Sequence, residues 1–181
     1  MLSTKSYKLL IVLAIAGLVL ALAAAGFLIT QGMKPNEAAS KAPLEKKELA
    51  PAFTLELMDG NKFDLNGYKG KPILINFFAS WCLPCREEMP VLQKIVHEYQ
   101  PKGVMFLGVA VDDTEKKMKE FIARYGVTFP VGLDKTAAIQ KSFGLYGIPT
   151  TYFIDKKGVI NYFHSGTVTE ELLRHELDKL L

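Results

Sequence analysis

Hydrophobic residues first occur as one long uninterrupted run. Residues 9–29 contain no charged side chain and follow Lys5 and Lys8. At about 1.5 Å per residue, a helix of this length crosses the apolar core of a bilayer. The run is also longer than the apolar region of a typical cleaved signal peptide. It therefore predicts a transmembrane signal-anchor over residues 9–30 after a cytoplasmic head over residues 1–8.

Residues 31–48 are polar, contain two prolines and show no apolar period. This composition is typical of a flexible, solvated linker. The positive-inside rule alone does not decide the orientation, because Lys34 and Lys41 follow the apolar run. A short basic head usually stays in the cytoplasm, and long C-terminal domains are translocated largely regardless of charge. We therefore expect a single-pass protein of the cell membrane with an extracytoplasmic C-terminal domain.

Residues 49–181 show the mixed pattern of an α/β domain. Alternation over 53–57 and 62–65, with turn residues between, predicts an N-terminal β-hairpin. The nearly all-apolar residues 73–79 predict a central strand that is covered on both faces. The other predicted elements are a helix over 83–99, a strand over 104–111, a helix around 118–125, a strand over 129–132, a short helix over 136–143, a hairpin over 151–164 and a helix over 170–181.

The charge of the chain is unevenly distributed. Residues 1–48 contain six lysines and three glutamates, so the remaining 16 basic and 16 acidic residues leave residues 49–181 neutral. Nucleic-acid binding requires a concentrated cationic surface that displaces counterions from phosphate. The predicted domain has no such block of sequence, which excludes nucleic acid as an expected partner.

The chain has only two cysteines, Cys82 and Cys85, in the run Trp81-Cys82-Leu83-Pro84-Cys85. Two cysteines three positions apart indicate local chemistry more than a disulfide framework. Cys82 falls where the predicted helix begins, and the helix N-terminus favours a thiolate there. Cys85 lies one turn further on, within reach of a disulfide, and can resolve a mixed disulfide formed at Cys82.

A CxxC pair also occurs in zinc sites and in structural disulfides. A zinc site would need two further ligands, and the chain has no other cysteine pair and no histidines at a ligand spacing. A disulfide across three residues closes too small a loop to stabilise much through chain entropy. We therefore expect no metal and no cofactor beyond a redox-active disulfide between Cys82 and Cys85.

Two stretches of the chain carry a family resemblance: PAFTLELMDGNKFDLNGYKGKPILINFFASWCLPCREEMPVLQ and GIPTTYFIDKKGVI. With the N-terminal apolar run, they resemble the TlpA/ResA/CcmG group of membrane-anchored, thioredoxin-like thiol–disulfide oxidoreductases. The resemblance covers about residues 49–181 and implies a thioredoxin-like fold, with a central mixed sheet of four or five strands flanked by helices.

The resemblance also implies a function and partners. The expected substrates are exported thiol or disulfide proteins, such as apocytochrome c during cytochrome c maturation, and the expected electron donor is a membrane thiol reductant of the CcdA or DsbD type. Two alternatives stay open: a thioredoxin-fold thiol peroxidase and a non-enzymatic copper chaperone. The peroxidase would require a Thr/Pro-rich cysteine loop and the chaperone a CxxxC spacing, and neither pattern is present.

Site residues follow from the same resemblance. Cys82 matches the exposed nucleophile, Cys85 matches the buried resolving thiol, and Pro149 matches a cis-proline beside the pair. That bond would leave the backbone of Ile148 free to bind an extended substrate, as in strand addition. Glu88 matches a carboxylate that exchanges protons with the thiols.

Several of these positions have a second interpretation. An acidic residue in the first turns of a helix ordinarily complements the dipole, which Glu87 would do as well as Glu88. Thioredoxin has a buried aspartate where this chain has Asn76, which cannot titrate. Trp81 is expected either to shield the sulfurs and form a contact surface or to be part of the core. The neutral residues Leu83 and Pro84, with no cation between the cysteines, favour a reductant over a strong oxidant.

Overall fold

The computed structural model describes residues 48–181. The predicted head, the signal-anchor and residues 31–47 of the predicted linker lie outside this range. Within it, no helix is long and apolar enough to cross a membrane.

The N-terminal hairpin forms as its alternating pattern predicts. Strand β1 (Thr54–Glu56) pairs antiparallel with β2 (Lys62–Asp64). In the turn, the backbone N–H of Asn61 donates to Oδ1 of Asp59 at 2.9 Å, a common role of aspartate in turns. A short 3₁₀ helix follows over Leu65–Tyr68.

Five further strands form a mixed sheet in the order β5-β4-β3-β6-β7. Strands β3, β4 and β5 are parallel, whereas β6 is antiparallel to β3 and β7 is antiparallel to β6. All six residues of β3 are buried, as the apolar run predicts for a central strand. The strands are β3 (Ile73–Phe78), β4 (Met105–Ala110), β5 (Val131–Leu133), β6 (Thr150–Ile154) and β7 (Ile160–Ser165).

Helices cover the sheet and complete a thioredoxin-like α/β fold. They are α1 (Leu83–Tyr99), α2 (Glu115–Tyr125), α3 (Ala138–Ser142) and α4 (Glu170–Asp178). Residues of α1, α2 and α4 share one buried cluster that includes both cysteines. The hairpin and α3 contribute to a second cluster. The predicted mixed sheet flanked by helices is confirmed.

Several element boundaries differ from the sequence pattern by one to three residues. The strand predicted over 129–132 begins at Val131, because Pro130 has no N–H to donate to a neighbouring strand. The last helix, predicted to reach residue 181, ends at Asp178. Leu180 nevertheless remains buried, and its N–H donates to the carbonyl of Leu177 at 3.0 Å.

The hairpin is attached to the β5 edge of the main sheet at Gly132. Leu57 forms an isolated bridge with Gly132, and the N–H of Met58 donates to the carbonyl of Val131 at 2.9 Å. A Cβ atom added to Gly132 would lie 2.4 Å from the carbonyl oxygen of Glu56 and 2.6 Å from Cγ of Leu55. The absence of a side chain at position 132 therefore permits the close packing of the hairpin.

We expect Gly132→Ala to lower the free energy of unfolding by about 1–3 kcal/mol, because the new methyl group must displace backbone atoms of the hairpin. Urea denaturation of the full-length protein in a non-ionic detergent measures the change. Gly67→Ala is the matched control, since a Cβ at Gly67 meets no atom within 4 Å. Equal stability of the two variants would contradict the packing argument.

Candidate active site

Cys82 and Cys85 form a disulfide at the start of α1. Their Sγ atoms are 2.12 Å apart and their Cα atoms 5.3 Å apart. Cys82 is the N-cap residue of the helix, and its Sγ accepts a hydrogen bond from the N–H of Cys85 at 3.2 Å. An N-cap side chain normally provides such an acceptor for the unpaired N–H groups of the first turn. The helix start therefore already stabilises electron density on the Cys82 sulfur.

The two cysteines differ in exposure. Cys82 retains 4% of its accessible surface and Cys85 retains none. The resemblance implies an exposed nucleophile, but in the oxidised protein Cys82 reaches solvent only through a small opening. The adjacent Trp81 and Leu83 are 56% and 63% exposed and form the rim of this opening. An incoming molecule reaches the disulfide at Cys82.

Glu88 of α1 has a buried side chain. It follows Cys85 by three positions on α1, which places both side chains on one face of the helix. Glu88 is 1% exposed, whereas Glu87 is exposed to solvent. Oε1 of Glu88 accepts from Nδ2 of Asn76 at 2.9 Å, and Oε2 accepts from the N–H of Val168 at 3.0 Å. Simple complementation of the helix dipole does not explain this buried position.

Burial is the main influence on the acidity of Glu88. It raises the pKa of the carboxyl to about 7, and the hydrogen bonds from Val168 and Asn76 oppose this shift. The pKa therefore lies near neutrality, where a carboxyl group can accept and return a proton.

Asn76 connects the carboxylate to the sheet. It lies on β3 opposite Thr151 of β6, and its Nδ2 donates to Thr151 Oγ1 at 3.0 Å as well as to Glu88. Both side-chain N–H groups of this fully buried amide are thus used. Asn76 supplies donors where an aspartate would supply a second buried negative charge.

The peptide bond between Ile148 and Pro149 is cis, as the resemblance implies. The carbonyl of Pro149 accepts from the N–H of Gly166 at 2.8 Å. Two residues later in the same loop, Val168 binds Glu88. Within residues 48–181, Ile148 forms no backbone–backbone hydrogen bond outside the strands. The substrate-binding role expected for its backbone stays a prediction.

The remaining expected site residues lie on the surface of the helix start. Trp81 is not part of the core, and its indole Nε1 donates to the carbonyl of Asp112 at 2.9 Å. Asp112 has a positive φ of 49°, an uncommon conformation for a residue other than glycine. Pro84 lies in the first turn of α1, where its missing N–H leaves no bond unmade.

Three further residues hold the loop before Cys82, and the sequence did not indicate them. The N–H and Oγ of Ser80 donate to the carboxylate of Asp113 at 2.6 and 2.9 Å. The guanidinium of Arg86 donates to the carbonyl of Ser80 from Nε at 2.8 Å and from Nη2 at 2.6 Å. One feature of the sequence could have indicated the contact between Ser80 and Asp113. Ser80 follows β3 and Asp113 follows β4, and the carboxyl ends of parallel strands lie at the same edge of a sheet.

Metal ligands do not cluster in the part of the chain that the structure describes. Over residues 48–181, no group of three or more His, Cys, Asp or Glu side chains is arranged to hold a metal ion.

Comparison with known proteins places this site in a family. Residues 47–163 match the model of the AhpC/TSA family. The thiol-disulfide oxidoreductase ResA of Bacillus cereus is 33% identical over 177 residues, which cover 96% of this chain and 95% of that protein. The thioredoxin-like protein YneN of Bacillus subtilis is 38% identical over 139 residues, or 75% of this chain and 80% of that protein.

A solved structure agrees with these relatives. It is a crystal structure from Chlorobium tepidum assigned as a thiol:disulfide interchange protein DsbE, with a TM-score of 0.71 and 28% identity. The match covers 76% of this chain and 98% of that one. The chain therefore belongs to the AhpC/TSA family, within which its CxxC disulfide and its relatives make it a thioredoxin-like thiol–disulfide oxidoreductase.

Proposed function

We propose that this protein is a membrane-anchored, extracytoplasmic reductant of disulfides in exported proteins, such as apocytochrome c during cytochrome c maturation. The observation that carries the chemistry is the disulfide at the start of α1, with the Cys82 sulfur accepting the Cys85 N–H. The apolar run over residues 9–29 and the similarity to ResA over 96% of the chain support the location. The redox-active disulfide is the only cofactor that this chemistry requires.

In the first step, the Cys82 thiolate attacks one sulfur of a substrate disulfide. The substrate S–S bond breaks, a bond forms between Cys82 and the substrate, and the second substrate sulfur leaves as a thiolate. Unpaired N–H groups and the dipole at the helix start stabilise the attacking thiolate.

In the second step, Cys85 loses its proton and attacks the sulfur of Cys82. The mixed disulfide breaks, the Cys82–Cys85 disulfide forms, and the substrate leaves with its second thiolate. Two electrons have then passed from the protein to the substrate. Glu88 acts as the base that accepts the proton of Cys85, since it lies three residues along the same helix face and is held by Asn76. A membrane dithiol donor of the CcdA or DsbD type restores the reduced pair.

The surface around the opening suits an extended polypeptide. Trp81 and Leu83 offer exposed apolar area on one side of Cys82, and the backbone of Ile148 beside Pro149 offers hydrogen-bonding groups. Backbone hydrogen bonds would hold the substrate chain while the apolar rim covers its disulfide. The absence of a cation at Leu83 and Pro84 gives the nucleophile less electrostatic help than a histidine there would, which favours reduction of the substrate.

We expect Cys82→Ser to abolish disulfide exchange, because the other cysteine of the chain, Cys85, is completely buried. Cys85→Ala should retain the first step and accumulate a mixed disulfide with the substrate, since the resolving thiol is missing. Non-reducing electrophoresis of both variants with a disulfide-containing substrate, followed by mass spectrometry, detects the trapped species. Wild-type turnover by either variant would contradict the assigned roles.

We expect Glu88→Gln to slow the second step by about 10²-fold, the usual contribution of a general base. In the wild type, the rate of this step should rise with pH through about 7, because only the ionised carboxylate accepts the proton. Stopped-flow measurement of the decay of the mixed disulfide from pH 5 to 9 gives the profile, and the variant should lose the rise near neutrality. Glu87→Gln is the matched control, since Glu87 is exposed and should change the rate less than about twofold. A persistent rise in Glu88→Gln would refute the assignment.

The proposed location predicts that an epitope tag fused after Leu181 is removed by protease added to intact spheroplasts. The tag should be cleaved without lysis of the cells, because the anchor leaves the domain outside the cytoplasmic membrane. A cytoplasmic protein tagged in the same way serves as the control and should stay protected. Protection of both tags would contradict the extracytoplasmic location.

A further inference from the structure

A groove of about 220 Å³ lies between α2 and the active-site loop, the segment that precedes Cys82. One wall is formed by Ser80, two residues before Cys82, and by Arg86, the residue after Cys85. The other wall is a stripe of α2 that includes Lys117, Phe121 and Arg124, spaced at three and four residues along the helix. We call this feature the basic groove.

The basic groove concentrates positive charge on a domain that is neutral as a whole. Its lining includes the cations Arg86, Lys117 and Arg124 and the single carboxylate Glu120. Within residues 48–181, none of the three cations has a carboxylate within 4.0 Å, whereas Lys119 outside the groove pairs with Glu115 at 2.6 Å. The charges of the groove are therefore available to a ligand.

Two hydrogen bonds hold Arg86 in a fixed orientation in the wall of the groove. Its contacts with the carbonyl of Ser80 use Nε and one N–H of Nη2, so three of its five N–H donors remain. A guanidinium with free, oriented donors suits a carboxylate, which it can bind through two hydrogen bonds. Lys117 and Arg124 are exposed and can approach a second negative charge.

The floor of the basic groove is aromatic. Phe121 is buried against Phe78 of β3, with ring centroids 5.1 Å apart, and Tyr125 packs on Phe121 at 4.6 Å. An aromatic surface beside three cations suits a polypeptide segment, which offers methylene groups and backbone as well as carboxylates. A simple inorganic anion would leave the partly exposed ring of Tyr125 uncovered.

We propose that the basic groove binds an acidic segment of the protein whose disulfide Cys82 attacks, a statement that rests on the proposed function. A polypeptide with its disulfide at Cys82 must extend past the neighbouring loop, and the groove begins two residues away at Ser80. An extended chain advances about 3.3–3.6 Å per residue, so side chains a few positions from the reacting cysteine reach the groove. Opposite charge would select and orient acidic partners and raise their association rate.

The test compares two peptides as substrates of the reduced full-length protein in a non-ionic detergent. Each carries one cysteine in a disulfide with a chromogenic aryl thiol, and attack by Cys82 releases the aryl thiolate. One peptide has Asp and Glu about three to five residues from the cysteine on both sides, a reach of roughly 10–17 Å. The other has Asn and Gln at the same positions.

We expect the acidic peptide to react about tenfold faster than the neutral one at low ionic strength, and the difference to shrink as salt is added. Lys117→Gln/Arg124→Gln should reduce the ratio to within about twofold and leave the rate with the neutral peptide unchanged. Lys62→Gln/Lys141→Gln removes the same number of exposed charges outside the groove and should keep the ratio.

Equal rates with both peptides in the wild type would overturn the inference while leaving the proposed function intact. Loss of the preference in both double variants would also overturn it, since total charge would then be the cause. A peptide preference that is unchanged in Lys117→Gln/Arg124→Gln would overturn the inference as well. If that variant alone then associates more weakly with vesicles of anionic phospholipid, the groove binds a membrane surface instead. If neither peptide is reduced, the proposed function itself fails.

Discussion

The buried carboxylate of Glu88 is the constraint on which the active site depends. A carboxylate removed from water requires hydrogen-bond donors, because an unpaired buried charge is strongly unfavourable. Asn76 of the central strand supplies one donor and the N–H of Val168, just before α4, supplies the other. The same contacts fix α1 against the sheet, and α1 begins at the Cys82–Cys85 disulfide. One hydrogen-bonded group thus links the packing of the fold with the chemistry of the cysteines.

The active-site loop is held as firmly on its outer side as Glu88 is held within. Asp113 accepts from the N–H of Ser80, and Arg86 donates to its carbonyl. These contacts hold the backbone before Cys82 in one conformation. The same contacts satisfy polar backbone groups close to the reactive Cys82. They also leave Trp81 on the surface, where it contributes to the rim and not to the core. A rigid scaffold with an exposed apolar rim suits a protein that receives other polypeptides.

The sequence predicts the elements well because their patterns are local. The apolar residues of β3, the alternation in the hairpin and the spacing of the cysteines each need only a short stretch of chain. The role of Glu88 did not follow in the same way, since Glu87 has the same charge and only packing decides which one faces inwards. Its donor Val168 is 80 positions away in the chain. The contact between Ser80 and Asp113 depends on tertiary structure for the same reason, and the cis bond before Pro149 was indicated only by family resemblance.

The helix start makes the two sulfurs unequal, with Cys82 reactive and Cys85 shielded. Alkylation of the reduced protein with iodoacetamide near neutral pH, followed residue by residue with mass spectrometry, tests it directly. We expect Cys82 to be modified rapidly while Cys85 stays unmodified, because only Cys82 combines a stabilised thiolate with an opening to solvent. Modification of Cys85 at an equal or higher rate would contradict it.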